Sequence, residues 1–320
     1  MASAAADETA ITRLAPEIDI KAPDTNKLAA NGVVGLLALA SFTTLAILAI
    51  VLGLIISGGW EHLTWAFVSQ PPRDGMMAGG IFPAIYGTLA LVLLMTLAAV
   101  PLGVTTAVYL QEIADPRSPL VKLVRIGVRN LAGVPSIVFG LFGLGFFIQF
   151  VGGGIDTIFY GGQLTFGQPA ILWASLTLAL LTLPVVVVTT EDALRSVPQE
   201  WREASYALGA TRITTIRKVV LPNAISGILT GVILAVSRGA GEVAPILFTG
   251  AAYFLPHLPT KATDQFMHLG YHVYIMATQS PDVDATKPIL FSTVLVLLML
   301  TFFLNAIGVV IRYRSRAGIR

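Results

Sequence analysis

The sequence predicts an all-α integral membrane protein with six transmembrane helices and both termini cytoplasmic. Three observations carry this. Only 12% of the 320 residues are charged and 55% are hydrophobic, with a mean hydropathy of +0.79, whereas a soluble domain carries about 25% charged residues. Six segments reach the roughly 20 apolar residues that a membrane helix needs. Sixteen of the twenty Lys and Arg fall in alternate connections, on one side of the membrane only.

In chain order, residues 1–32 read as a mobile cytoplasmic tail. They lack a basic start, and the apolar run behind them is too long for the core of a signal peptide. The membrane domain is expected over 33–312. Its spans fall at about 33–56, 81–110 (with Pro101), 134–151, 170–190 (with Pro184), 224–250 and 289–311. Prolines inside such helices are tolerated as kinks. A basic tail, 313–320, closes the chain.

The connections orient the spans. Arg13, Lys21 and Lys27 precede the first. Arg117, Lys122, Arg125 and Arg129 lie between the second and third. Arg195, Arg202, Arg212, Arg217 and Lys218 lie between the fourth and fifth, and Arg312, Arg314, Arg316 and Arg320 follow the sixth. The opposite connections hold only Arg73, Lys261 and Lys287. Positive charge stays inside, so the first group is cytoplasmic. Within "RSPLVKLVRIGVRN", Leu120, Leu123, Val124 and Val128 recur at helical spacing with Lys122, Arg125 and Arg129 opposite them. This predicts an interfacial helix leading into span three; the alternative is an ordinary basic loop.

Several chemistries are excluded. No cysteine occurs, so there is no disulfide, thiolate metal site or cysteine nucleophile. The glycine-rich "VGGGIDTIFYGGQLTFGQP" lacks the lysine of a phosphate-cradling loop. His268 and His272 have no carboxylate partners in sequence and read as packing residues rather than metal ligands. A membrane enzyme would lack a candidate nucleophile.

The coupling loop, 191–222, interrupts this pattern with a polar stretch that has its own helix signals. Ser196 and Gln199 form a possible capping box, with Pro198 in the first turn. Trp201, Ala204, Ser205 and Leu208 then line one face, and Gly209 occupies the position of a left-handed C-terminal residue. A second helix is expected with Ile213, Ile216 and Val220 on one side, ended by Leu221-Pro222. A compact helix–bend–helix presents a surface, whereas a solvated connector would need neither caps nor an apolar face.

Here a resemblance enters. Glu203-Ala204-Ser205, three residues, Gly209, nine residues, then Val219-Val220-Leu221-Pro222 resembles the EAA loop of ABC importer permeases, departing only at Ser205 and Val219. "NLAGVPSIVFGLFGLGFF" (130–147) and "SRGAGEVAPILFTGAA" (237–252) resemble the PstA-type permeases of phosphate-specific importers, with Val243 as the departure. The similarity covers roughly residues 80 to 312.

The resemblance implies a type I ABC importer-like fold in a bacterial or archaeal cytoplasmic membrane and inorganic phosphate as substrate. It implies a heterodimer with a second homologous permease subunit, two ATPase subunits and an extracytoplasmic phosphate-binding protein. ATP and Mg would sit on the partner ATPase; this chain would bind no cofactor, nor any nucleic acid. The short helix before Gly209 would be the coupling helix, with Trp201, Glu203, Ala204, Ser205, Gly209, Leu221 and Pro222 carrying ATPase coupling.

Arg238 and Glu242 are the ionisable pair inside a span. A charge at the bilayer centre costs about 2.5–3.5 kcal/mol or more, and residues four apart share a helix face. Either the pair is a buried salt bridge that fixes packing, or Arg238 offers the translocation path a fork-shaped donor while Glu242 keeps the anion from being trapped. The rivals to a phosphate permease are one for sulfate, molybdate or phosphonate, and an ATPase-independent channel or secondary transporter, which would leave the EAA-like loop without a purpose.

Overall fold

The computed structural model describes residues 25–73, 78–280 and 282–317. The expected tail residues 1–24 and 318–320 lie outside the described residues. The chain divides into two units, 1–54 and 55–320. The described part of the first is a helix that runs from Thr25 on to Gly59. It starts inside the segment expected as tail. It is apolar nearly throughout, and the hydroxyls of Ser41, Thr43 and Thr44 donate to carbonyls four residues back. Polar side chains are thus satisfied within the helix, as lipid requires.

The second unit holds five further helices long and apolar enough to cross a membrane: Phe82–Ile113, Ser136–Phe159, Ile171–Arg195, Arg212–Gly241 and Thr286–Ser315. Counting the helix above as span 1, these are spans 2 to 6. Span 4 is the centre: 67% of its apolar window is buried, against 11% for span 6. Helices come close where side chains are small, since lipid tails offer no hydrophobic drive for association. A Cβ on Gly103 would lie 2.7 Å from Val186, and one on Gly227 would lie 2.5 Å from Ala193. The helix that carries span 6 continues to Ala317, so the expected basic tail is helical as far as it is described.

Span 5 differs from the expectation at both ends. It starts at Arg212, because Leu221-Pro222 does not end the second loop helix, which runs on into the span. A proline clashes with the carbonyl four residues back. The chain absorbs this with a π-helical turn over Ile216–Val220, where Leu221 N–H reaches Ile216 O. Asn223 Nδ2 donates to Val219 O at 2.6 Å. At the other end the helix stops at Gly241, and Glu242 is extended with ψ 129, rather than continuing to 250. A one-turn helix, Ile246–Thr249, follows. Thr249 O, Asp264 O and Ala262 O then accept the N–H groups of Ala170, Ile171 and Leu172, the unsatisfied donors at the start of span 4. This returning segment is buried through Ile246, Thr249, Phe266 and Met267.

The interfacial helix is Pro119–Leu131, and most of its expected apolar face stays exposed. Val121 is buried, while Leu120 and Leu123 are exposed. Arg125 turns inward, its Nη2 donating to Leu110 O at 2.8 Å and its Nε 3.3 Å from Glu191. A buried carboxylate on span 4 outcompetes the leucines, which face outward as an interfacial helix can afford in lipid. Ser196 is not a cap of the loop helix either. Its Oγ returns to Ala193 O and its backbone stays helical, closing span 4. The loop helix is Gln199–Ala207, with Pro198 outside its first turn at the cap position.

Candidate functional site

Two places gather charge. The first is deep in the bundle. Spans 4 and 5 run antiparallel, with Gly227 against Ala193 and Gly231 against Thr189. Continuing that register, Arg238 lies level with Thr182. At 1.5 Å per residue this is about 17 Å from one end of span 4 and about 20 Å from the other. The contact of Gly239 with Met95 agrees: Met95 lies about 20 Å along span 2 from Phe82. Arg238 is therefore near mid-depth, and the helix breaks one turn beyond it.

Arg238 Nε donates to Glu242 Oε1 at 3.1 Å, with the two side chains 40% and 19% exposed. Among the described residues neither Nη of Arg238 has a partner. The guanidinium sits in the last turn of the helix, where the carbonyl end of the macrodipole favours a cation. A polar seam toward span 6 flanks it: Ser237 Oγ donates to Asn305 Oδ1, and Arg312 Nη1 to Thr230 Oγ1 at 3.2 Å.

The second place is the basic end. Arg202 is the one buried side chain of Gln199–Ala207. Its Nη2 and Nε grip Glu112 at 2.8 and 3.3 Å. Nη1 donates to Val197 O at 2.6 Å and to Pro198 O, and Nη2 also donates to Leu194 O at 2.8 Å. All five donors are used. Away from Arg202 the helix carries half-exposed Trp201, exposed Ala204 and Leu208, 89% exposed, with exposed Glu203 on the flank. Gly209 has φ +80, with its N–H on Tyr206 O and that of Ala210 on Ser205 O, the paired bonds of a Schellman stop. Ser205 is tied to Thr215 through their hydroxyls at 2.8 Å.

Over residues 99–317 the chain matches the family described as binding-protein-dependent transport system inner membrane component. The chain belongs to this family. It is 34% identical over 275 residues to the probable ABC transporter permease protein YqgI of Bacillus subtilis (strain 168), across 82% of this chain and 87% of the relative. It is 41% identical over 200 residues to phosphate transport system permease protein PstA 1 of Mycobacterium tuberculosis (strain ATCC 25618 / H37Rv), across 61% of this chain and 60% of that one. The solved bacterial alginate ABC transporter, in complex with alginate pentasaccharide-bound periplasmic protein, includes a chain with the same fold. Its TM-score is 0.64 at 15% identity, over 88% of this chain and 94% of the other.

The chain is thus a multi-pass inner membrane permease component with the ABC importer fold. Of the residues singled out in the sequence, the permease brings Arg238 and Glu242 together and sets Trp201, Ala204 and Leu208 on one outward stripe, with Glu203 exposed on its flank. It separates Leu221 and Pro222 from that surface. They lie in span 5, where Leu221 packs on the cluster of Leu194, Val220 and Ala224. His268 and His272 are buried. His268 Nδ1 accepts from the N–H groups of Gly270 and Tyr271 and so caps Leu269–Gln279. Burial drives the imidazoles down to about 3 and about 4, so both stay neutral. No cluster of three or more metal-ligating side chains occurs among the described residues. Sequence reading missed Glu112, Glu191, Arg125 and Arg202 as pairs. The available signal was Glu112 and Glu191, carboxylates at the ends of spans 2 and 4 that adjoin the basic connections, where a buried carboxylate needs a partner.

Proposed function

We propose that this permease is one half of the translocation path of an ATP-driven inorganic phosphate importer. Both termini and the loop helix are cytoplasmic, a second homologous permease completes the path, two ATPase subunits hydrolyse ATP with Mg, and an extracytoplasmic binding protein delivers phosphate. Arg238 is the anion-meeting group and Glu242 its resting counter-charge. The observation that carries this is a guanidinium near mid-depth, 40% exposed, whose Nη nitrogens have no partner among the described residues. Lipid contact there would cost about 2.5–3.5 kcal/mol or more. Its exposed side therefore meets water, substrate or a second subunit.

Two free donors in a fork match two oxygens of a tetrahedral anion. Glu242 occupies only Nε, so it weakens the site without closing it, and the anion leaves as readily as it enters. Trp201, Glu203, Ala204 and Leu208 form the surface for the ATPase, and Gly209 with Ser205 sets its angle. Leu221 and Pro222 act indirectly, by shaping the start of span 5.

The test is uptake of labelled phosphate into vesicles holding the reconstituted complex. Uptake should need ATP on the ATPase side and resist excess sulfate, molybdate or phosphonate. Displacement by one of these assigns another oxyanion; uptake without the ATPase points to a channel or secondary transporter. For orientation, a cysteine introduced at Gln163 should be labelled only from outside the cell.

A further inference from the structure

We propose that Arg202 is a positioning residue that ties the loop helix to span 2 and carries its movement to the path, so that Arg202–Glu112 is the strut between ATPase and substrate site. This rests on the reading of Gln199–Ala207 as the ATPase docking helix.

Three observations converge. First, a helix of nine residues normally anchors itself by apolar side chains, yet here the sole buried one is an arginine. A polar cavity of about 420 Å³, lined by Gln111, Arg195, Gln199 and Tyr206 among others, opens beside the pair. The helix therefore leans on an ion pair rather than on a core. Second, the pair joins residues 90 positions apart, and each partner sits at a place where backbone can shift. Glu112 lies in the π-helical turn Tyr109–Ile113 that ends span 2, and such turns are often functional. Arg202 simultaneously holds Leu194 O in the last turn of span 4 and Val197 O just beyond it. Third, span 2 reaches the candidate path. Met95 Sδ occupies the space where a Cβ of Gly239 would be, and Gly239 adjoins Arg238. A displacement of the docking helix thus pulls on one end of a helix whose middle touches the neighbour of the anion-meeting arginine.

A bidentate pair suits a strut better than an apolar contact. It resists both tension and rotation, because two parallel hydrogen bonds fix the planes of the groups. The second buried pair, Arg125–Glu191, lies between the interfacial helix and span 4. It does not touch the loop helix, and because Arg125 also holds Leu110 O of span 2, a change at Glu191 alone serves as the internal control.

The experiment uses the full complex in vesicles, with the ATPase, the binding protein and phosphate. Glu112→Gln removes the charge but leaves Arg202 its three backbone carbonyls, so the helix stays capped. The expected result is that the ATPase co-purifies as before, while uptake and binding-protein-stimulated hydrolysis fall at least tenfold. Arg202→Lys, which keeps charge but loses the fork, should fall at least threefold. Glu191→Gln, which leaves Arg125 its bond to Leu110 O, should leave stimulation within twofold.

A direct version avoids dependence on folding. The chain has no cysteine, so Glu112→Cys with Arg202→Cys can be joined by a reducible bis-methanethiosulfonate linker. Stimulation should be present with the linker and lost on reduction. Equal activity in the linked and reduced states overturns the proposal, as does full stimulation in Glu112→Gln. Loss of the ATPase from Glu112→Gln also overturns it, since the pair would then only shape the docking face. If the unsubstituted complex binds no ATPase, the docking reading itself fails.

Discussion

Two arginine–glutamate pairs in this permease make opposite use of the same chemistry. Arg238 and Glu242 share one hydrogen bond near mid-depth, half exposed, with two nitrogens left open. Arg202 and Glu112 share two hydrogen bonds at the basic end, buried, with every donor filled. The difference is one of satisfaction rather than of charge. A filled guanidinium has nothing to offer a ligand and holds elements together. A half-filled one costs stability and is worth keeping only where something else arrives.

The largest expected effect separates the two directly. Arg238→Gln should abolish uptake, by a hundredfold or more, with the complex still assembled; Glu242→Gln should impair it as well by leaving the cation uncompensated. If the double neutral variant transports normally in vesicles, the pair is structural and the contrast collapses.

The basic-end pair should respond in stability as well as in transport. Arg202→Ala leaves Glu112 buried without a partner, a loss of about 3–5 kcal/mol. It should appear as a lowered midpoint in thermal or denaturant unfolding of the purified chain. Arg238→Gln should cost under about 1 kcal/mol in the same measurement, since its partner is partly exposed.

The buried histidines supply a third case, burial with neutrality. Their pKa values in the fold, about 3 for His268 and about 4 for His272, lie below the unfolded value near 6.5. The unfolded chain therefore binds more protons as pH falls below about 6.5, and stability declines with it. At pH 5 each contributes a loss on the order of 2 kcal/mol, from 1.36 kcal/mol per unit. His272→Gln should shallow that decline; an unchanged pH profile would mean that the imidazole is not held neutral.

The smallest effect concerns Gly209. With φ +80 and no atom within 4 Å of where a Cβ would stand, the strain of a side chain there is backbone only. Gly209→Val should cost about 1–2 kcal/mol and weaken retention of the ATPase severalfold, whereas Gly209→Asn should lose little. Retention and stimulation that are normal in Gly209→Val would remove the loop from the docking role.

Some of this was legible in the sequence because it depends on local rules. Spans follow from apolar length, the left-handed turn from a glycine at the end of a short helix, and the Arg238–Glu242 pair from a spacing of four, although Glu242 stands just past the helix end rather than on it. Each needs only the chain's own neighbours. The faces of the amphipathic segments were less legible. The spacing of Leu120, Leu123 and Val124 says that they share a side, but not whether that side meets protein or lipid, because both reward apolar surface.

The sequence by itself therefore determined six spans, their alternation of charge and the polar helix–bend–helix loop between the fourth and fifth. Only the tertiary structure decided that span 5 breaks at Gly241, because the donors at the start of span 4 draw carbonyls from residues 249–264. It also decided which charges are spent. Glu112 and Arg202 are 90 residues apart, and Arg125 and Glu191 are 66 apart. No periodicity reaches that far; partners at such separation are chosen by packing, where a buried carboxylate takes whichever cation the fold brings within reach.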